Sequence, residues 1–458
     1  MKLKSWRGSW WLPDTPHDSS PGQLIVEDDG RCRLEIVGSL DLERAAAEQP
    51  PEWQSGVTSD RVAVIHGIAR GKPITLLECF TSSSDGFSAA SRSYQDIHVH
   101  EALVGAHITY DEAAFESAIV EIENLTSWLA YPDLVHRARD GDDERATYRR
   151  PPDLSCMVDG WTIMARGLTQ PFNATHKRSR LSVEGEVSTY LLLTPPEPRP
   201  ARDFHSLIHE LTDLITLAAN EASGQIQLTL IHRVPTAMPQ QDGTSIELST
   251  RVESFGARIH TAGPDSPATA DWRFLFTCRD RPMEDLVPEW LRIRRRAPEA
   301  CNVYFGLRYT RPTYTEIRLL LMAITTEALH KALVNQTALS DNDIEELRAP
   351  AGDGARAESM ITEKLRRTPT FRERAIELAA KPDARAVSRI TPDVGEWAVR
   401  LKDARNNLAH TGNETSDDDI FQLEWVTSSI IALALMAELG LSPDVQQRAA
   451  RDILSPPR

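Results

Sequence analysis

Near Met283 the hydrophobic pattern of this chain changes period, and it does not change back. Upstream, apolar residues come in short or alternating runs broken by turn residues, as in Gln23 to Val26, Cys32 to Val37, Arg61 to Ile65 and Ile74 to Cys79. A two-residue period belongs to strands, whose successive side chains point to opposite faces. Downstream, apolar residues return every three or four positions, the spacing that puts them on one stripe of a helix. A chain of 458 residues has room for two or three domains at roughly 100–200 residues each. The two textures in succession therefore read as an α+β protein. A β-rich part covers residues 1–297 and an all-α bundle residues 298–458.

Within the first part, RVAVIHGIARGKPITLLECF reads as two strands joined by a turn at Gly67 to Pro73. Helices are expected at Asp111 to Leu129 and, after the PPEPRP break, at Asp203 to Ala222, with strands resuming at Gln225 to His232 and Trp272 to Cys278. In the second part, Tyr314 to Val334 carries Ile317, Leu320, Leu321, Ile324, Ala328 and Leu329 on one stripe. Glu358 to Arg367 and Arg372 to Ala380 read as shorter helices divided by Pro369, which cannot continue a helix. Glu396 to Ala409 ends near Gly412, and Asp418 to Leu439 is opened by acidic residues suited to a helix N-terminus.

Charge and cysteines narrow the function. The net charge of −16 and pI near 5.3 argue against coating nucleic acid by bulk positive charge, since such binding neutralises phosphates with Lys and Arg. Residues 301–458 hold about 20 basic and 23 acidic side chains, so the acidity belongs to the first part. Five scattered cysteines without a C-x-x-C pair suggest neither a disulfide framework nor a zinc knuckle, and fit a reducing cytoplasm. MKLKSWRGSWWLPD lacks the apolar core of a secretory signal. The most apolar run, IIALALMAELGL, is too short for a membrane span and carries Glu438. No membrane association is expected. His205 and His209 sit at i, i+4 but lack an HExxH order or a third ligand. The string GIARGKP has the wrong spacing for a phosphate loop. Neither metal nor cofactor is expected.

The string Arg405-Asn406-Asn407-Leu408-Ala409-His410 is the most informative. It joins a guanidinium that keeps its proton to an imidazole that titrates near neutrality. A metal-free ribonuclease needs that combination: proton transfer at the ribose 2′-OH or the leaving oxygen, and a fixed cation on the scissile phosphate. Five residues along a helix turn about 140° and rise about 7.5 Å, so the two side chains do not share a stripe. A symmetric dimer that brings two copies together makes a better site. The alternative is structural: an Arg and a His at this spacing arise by chance in many helices, and His410 can cap its own.

RNNLAHTG, placed before the last long apolar helix of a bundle, resembles the R-x(4 to 6)-H motif of HEPN domains. The first part is similar to the N-terminal domain of the ApeA family of anti-phage proteins. The matching strings are GSWWLP, PGQL, LEIVGSL, Ile65-His66-Gly67, KPITLLEC, LVGAH and Asp159-Gly160-Trp161, in that order. The resemblance implies a β-rich sensing or regulatory domain followed by a metal-independent HEPN endoribonuclease. The enzyme would be a homodimer acting on host RNA, tRNA in particular, once a phage-derived trigger is sensed. It implies catalytic positions for Arg405 and His410, a polar position beside the arginine for Asn406, and a supporting acid at Glu327. A non-catalytic HEPN module that binds RNA or a protein is the alternative. Arg292, Arg294, Arg295 and Arg296, beside Trp290, are the densest basic cluster and a candidate for steering RNA; a solvated or ion-paired helix face explains them equally well.

Overall fold

The computed structural model describes residues 4–47, 61–84, 94–131, 135–140, 143–239, 245–257, 269–310, 314–334, 369–410 and 417–454. They form two compact units that interleave in sequence. The first comprises Met1–Ile215, Ala222–Thr269 and Met283–Pro288; the second comprises Thr216–Glu221, Ala270–Pro282 and Glu289–Arg458. The α+β class holds, with strands in the first unit and helices dominating the second.

Six strands of the first unit close on themselves. β1 (Lys4–Trp11), β2 (Ser20–Val26), β3 (Cys32–Val37), β4 (Val62–Ala69), β5 (Lys72–Ser84) and β6 (Tyr94–Val104) pair in the order β6-β3-β2-β1-β4-β5, and β5 returns to β6. All these pairings are antiparallel. Closure leaves a barrel whose interior is filled by alternate residues such as Leu24, Leu34, Ile36, Ile74 and Ile97, with Trp10 wholly buried among them. Gly67 makes room for Trp10. The two are register partners, and a Cβ built on Gly67 would lie 2.2 Å from the indole. The β4–β5 connection is a hairpin turning at Arg70 and Gly71, both at positive φ.

Beyond β6 the sheet continues through β14 (Ser245–Gly256), β13 (Gln225–Pro239), β7 (Phe115–Ile122), β12 (Arg180–Thr194), β11 (Trp161–Lys177) and β10 (Leu154–Val158). A separate hairpin pairs β8 (Val135–Asp140) with β9 (Asp143–Tyr148). Helices α1 (Leu42–Ala47) and α2 (Leu125–Leu129) are short, and α3 (Ala201–Ala219) is long. The single helix expected at Asp111 to Leu129 is replaced by β7 and α2. Phe115, Ala118, Val120 and Ile122 are buried with more exposed residues between them, the strand alternation, and both neighbouring strands use β7's backbone. The strand expected at Trp272 to Cys278 is likewise absent. Residues Asp271–Arg273 form a 3-10 turn, and Phe274, Leu275 and Phe276 are buried in succession, with no two-residue period.

The second unit contains α5 (Pro298–Tyr309), α6 (Thr315–Leu333), α7 (Phe371–Ala379), α8 (Ala384–Ile390), α9 (Val394–His410), α10 (Asp417–Glu438) and α11 (Pro443–Asp452). It also holds the last two turns of α4 (Met283–Arg296). Thr370 and Glu373 form a reciprocal capping box that starts α7 directly after Pro369. The helix expected at Glu358 to Arg367 lies outside the described residues. α6 packs against α5, α7, α9 and α10. α10 is apolar almost all round, with Ile430 to Met436 buried without a break, as befits the central helix of a bundle. It is tied to α9 by Trp397 Nε1, which donates to Thr427 Oγ1 at 3.1 Å. The stretch Asp419–Glu438 is long and apolar enough to cross a membrane, and 72% of its apolar window is buried.

Candidate active site in the helical unit

Glu327, on the fourth turn of α6, is a junction for three cations from three helices. Its Oε1 accepts from Arg374 Nη1 of α7 at 2.6 Å and faces Lys331 Nζ, one turn along α6, at 3.1 Å. Its Oε2 accepts from Arg405 Nη2 of α9 at 3.3 Å. Burial pushes the Glu327 carboxyl up, but the bond and charge of Lys331 and the charges of Arg374 and Arg405 outweigh it and hold the group below its usual range. The carboxylate therefore stays ionised at neutral pH.

This junction fixes Arg405. The guanidinium carbon lies 4.9 Å from the centre of the Phe371 ring, a cation–π placement, so the head is held from one side by charge and from another by a ring. The Arg405 side chain nevertheless keeps 35% of its surface exposed. Together with Glu299, Ile324, Glu327, Lys331 and Ala332 it lines an open cleft of about 470 Å³. A guanidinium that is immobilised, charged at every relevant pH and accessible can bind a phosphate in two-pronged fashion. Asn406 is exposed beside it. α9 runs to His410, whose side chain lies outside the described residues.

Two of these groups were not singled out from sequence. Arg374 is 6% exposed and donates both to Glu327 and, through Nε, to the Pro369 carbonyl at 3.0 Å. Lys331 sits at i+4 from Glu327, a spacing that pairs charges on a helix and could have been noticed.

The ApeA N-terminal domain 1 family model matches residues 5–290, and the Apea-like HEPN model matches residues 320–445. This chain belongs to the ApeA family. The HEPN match encloses Glu327, Lys331, Arg374, Arg405, Asn406 and His410, so the whole charged junction falls inside the ApeA-like HEPN domain. Together the two families mark a defence-related HEPN module of the nuclease type. No curated protein and no solved structure matches the chain.

The basic cluster of this ApeA-family chain is less uniform than its sequence suggests. Arg294 is 5% exposed and donates to the Pro298 carbonyl and to Asn302 Oδ1, which makes it a brace at the corner between α4 and α5. It does not belong to an exposed patch. Arg292 pairs with Glu289 one turn back, and Arg296 reaches the Leu333 carbonyl at 3.4 Å. Arg292, Arg295 and Arg296 remain exposed. His205 meets Glu101, and among the described residues no group of three potential metal ligands occurs.

Proposed function

We propose that this ApeA-family chain is a metal-independent endoribonuclease of anti-phage, abortive-infection defence. Residues 1–297 would sense infection and restrain the nuclease, and residues 298–458 would cut host RNA, tRNA being the foremost candidate. Arg405 neutralises the charge that grows on the scissile phosphate. His410 transfers the proton, and Asn406 adds a polar contact beside the arginine. The 2′-oxygen loses its proton and attacks phosphorus in line, the bond from phosphorus to the 5′-oxygen breaks, and that oxygen is protonated. The products are a 2′,3′-cyclic phosphate and a 5′-OH end. Two copies pair so that their motifs form one site, because the offset between Arg405 and His410 leaves a single motif poorly arranged.

The observation that carries this reading is Arg405 itself, held by Glu327 and Phe371 while still exposed at an open cleft. A cation needed only for folding gains nothing from such accessibility. The test is to purify the protein from phage-infected cells, incubate it with bulk tRNA in excess EDTA, and count cyclic-phosphate ends. Cleavage by the wild type and none by Arg405→Ala is expected. Cleavage that needs added divalent metal, or survives in Arg405→Ala, defeats the proposal. RNA binding without cleavage, lost in Arg405→Ala, defeats it in favour of a binding module.

A further inference from the structure

The cleft beside Arg405 carries a second exposed cation. Lys331 leaves α6 one turn after Glu327, keeps 56% of its side chain exposed and lines the same space of about 470 Å³. Its ammonium shares one oxygen of Glu327, Oε1, with Arg374, and the Arg374 contact is the shorter, 2.6 Å against 3.1 Å. The Arg374 side chain is nearly buried and is also held by the Pro369 carbonyl, which makes it the fixed counter-ion of that carboxylate. With Arg374 in place, Glu327 stays neutralised whether or not Lys331 and Arg405 remain on it. Pairs as exposed as theirs gain little after solvent screening, so either head can leave Glu327 for a better anion at small cost.

The remaining charged group of the lining is Glu299, in the first turn of α5. It is exposed and meets no partner among the described residues, a placement that also suits the positive end of a helix. Counting Arg374, three cations stand against the two carboxylates Glu299 and Glu327. The balance is positive here although the whole chain carries −16, and it favours an anion. Glu299 opposes an anion close to itself, which leaves the Lys331 and Arg405 heads as the favourable ground.

Lys331 meets Glu327 at Oε1, whereas Arg405 meets it at Oε2. The carboxylate thus spaces the two heads, a placement that suits two neighbouring phosphates of one strand better than a single phosphate. Ile324, Ala328 and Ala332 give the same cleft an apolar surface against which a sugar can lie. We propose that Lys331 is a second phosphate-binding residue of this cleft and holds the RNA phosphate next to the one on Arg405. The inference rests on the ribonuclease reading of Arg405. Lys331 positions the strand, and the reacting bonds stay with Arg405 and His410.

The test uses the full chain purified from phage-infected cells. Binding of a short fluorescein-labelled single-stranded RNA is read by anisotropy across a salt series, in excess EDTA and in the His410→Ala background that leaves the RNA whole. Cleavage kinetics on bulk tRNA are measured with His410 present. Lys331→Gln should weaken binding and raise KM about fivefold, the worth of one exposed charged contact, with kcat within about twofold. Its plot of log affinity against log salt should be shallower by about 0.7, the share of one phosphate on a single strand. Lys331→Arg should restore both, and Glu299→Gln should tighten binding. Arg385→Gln removes an exposed charge of α8 outside the lining and should leave the slope as it was. A wild-type slope in Lys331→Gln, a fall in kcat with KM unchanged, no rescue by Lys331→Arg, or an equal loss in Arg385→Gln overturns the proposal. Arg405-dependent cleavage alongside any of those results leaves the ribonuclease reading standing. No cleavage and no RNA binding by any form removes that reading, and this inference with it.

Discussion

Glu327→Gln isolates the charge at the junction while preserving its shape. The substitution leaves one oxygen acceptor but removes the counter-charge of Arg374, a residue 6% exposed and bonded at 2.6 Å. A hydrogen bond between charged partners contributes about 1.5–3 kcal/mol. The Lys331 and Arg405 pairs are more exposed and add at most about 1 kcal/mol each after solvent screening. The helical unit should therefore lose about 2–4 kcal/mol, and its melting transition should fall by roughly 5–12 °C. Hydrogen exchange along α6 and α7 would assign the change to this unit, because a two-unit chain need not melt in one step. A double-mutant cycle with Arg374→Gln should give a coupling of at least about 1.5 kcal/mol. A coupling below about 0.5 kcal/mol, with α6 protection unchanged, would refute the view that Glu327 organises this corner. RNA cleavage should fall in step, since Arg405 loses its anchor.

Three other outcomes are expected. Gly67→Ala should destabilise the barrel by more than about 3 kcal/mol, an overpacking cost at the upper end, since the new methyl would press on the Trp10 indole at 2.2 Å; denaturant melts of the variant check this. The pair of Glu101 and His205 should stabilise the first unit most between their ordinary values of 4.5 and 6.5. Glu101 is depressed, so its contribution is lost as pH falls through its folded value, and His205 is raised, so its contribution is lost as pH rises through its own; Glu101→Gln should flatten a plot of melting temperature against pH across this window. Arg294→Ala should cost about 1–3 kcal/mol because it empties a site where the side chain is 5% exposed and removes the bonds to the half-buried Pro298 carbonyl and to Asn302, whereas Arg295→Ala at an exposed position should stay within about 0.5 kcal/mol, as denaturant melts would show.

Four helices of the second unit were readable because their signals are local: the stripe of Tyr314 to Val334, the restart after Pro369, the apolar spacing of Glu396 to Ala409 and the apolar run of α10 each speak within a few turns of chain. The helices at Pro298–Tyr309, Ala384–Ile390 and Pro443–Asp452 were not expected, although the Asp383 and Ser442 caps are equally local signals. Residues 111–129 misled because Phe115, Ile119, Ile122 and Leu125 also satisfy a helical spacing; the choice of strand was made by β12 and β13, which supply hydrogen bonds from far along the chain. Barrel closure is equally non-local, since nothing in β5 announces a second partnership with β6. At the candidate site, the Arg405 and His410 motif stood out as a short string, while Arg374 did not, because its role depends on α7 meeting α6 across 47 residues. The union of Glu101, His205 and Ser254 spans still longer separations. The burial of Arg294 was hidden for another reason: four arginines within five positions of a helix with 3.6 residues per turn cannot all face solvent alike, and the string does not say which turns inward.

The most direct measurement is sequencing of RNA 5′-OH and cyclic-phosphate ends from phage-infected cells that express the wild type or His410→Ala. Discrete new ends with the wild type, absent with His410→Ala along with protection from phage, are the expected result and would name the substrate. Identical end profiles, with protection retained by His410→Ala, would contradict the ribonuclease assignment.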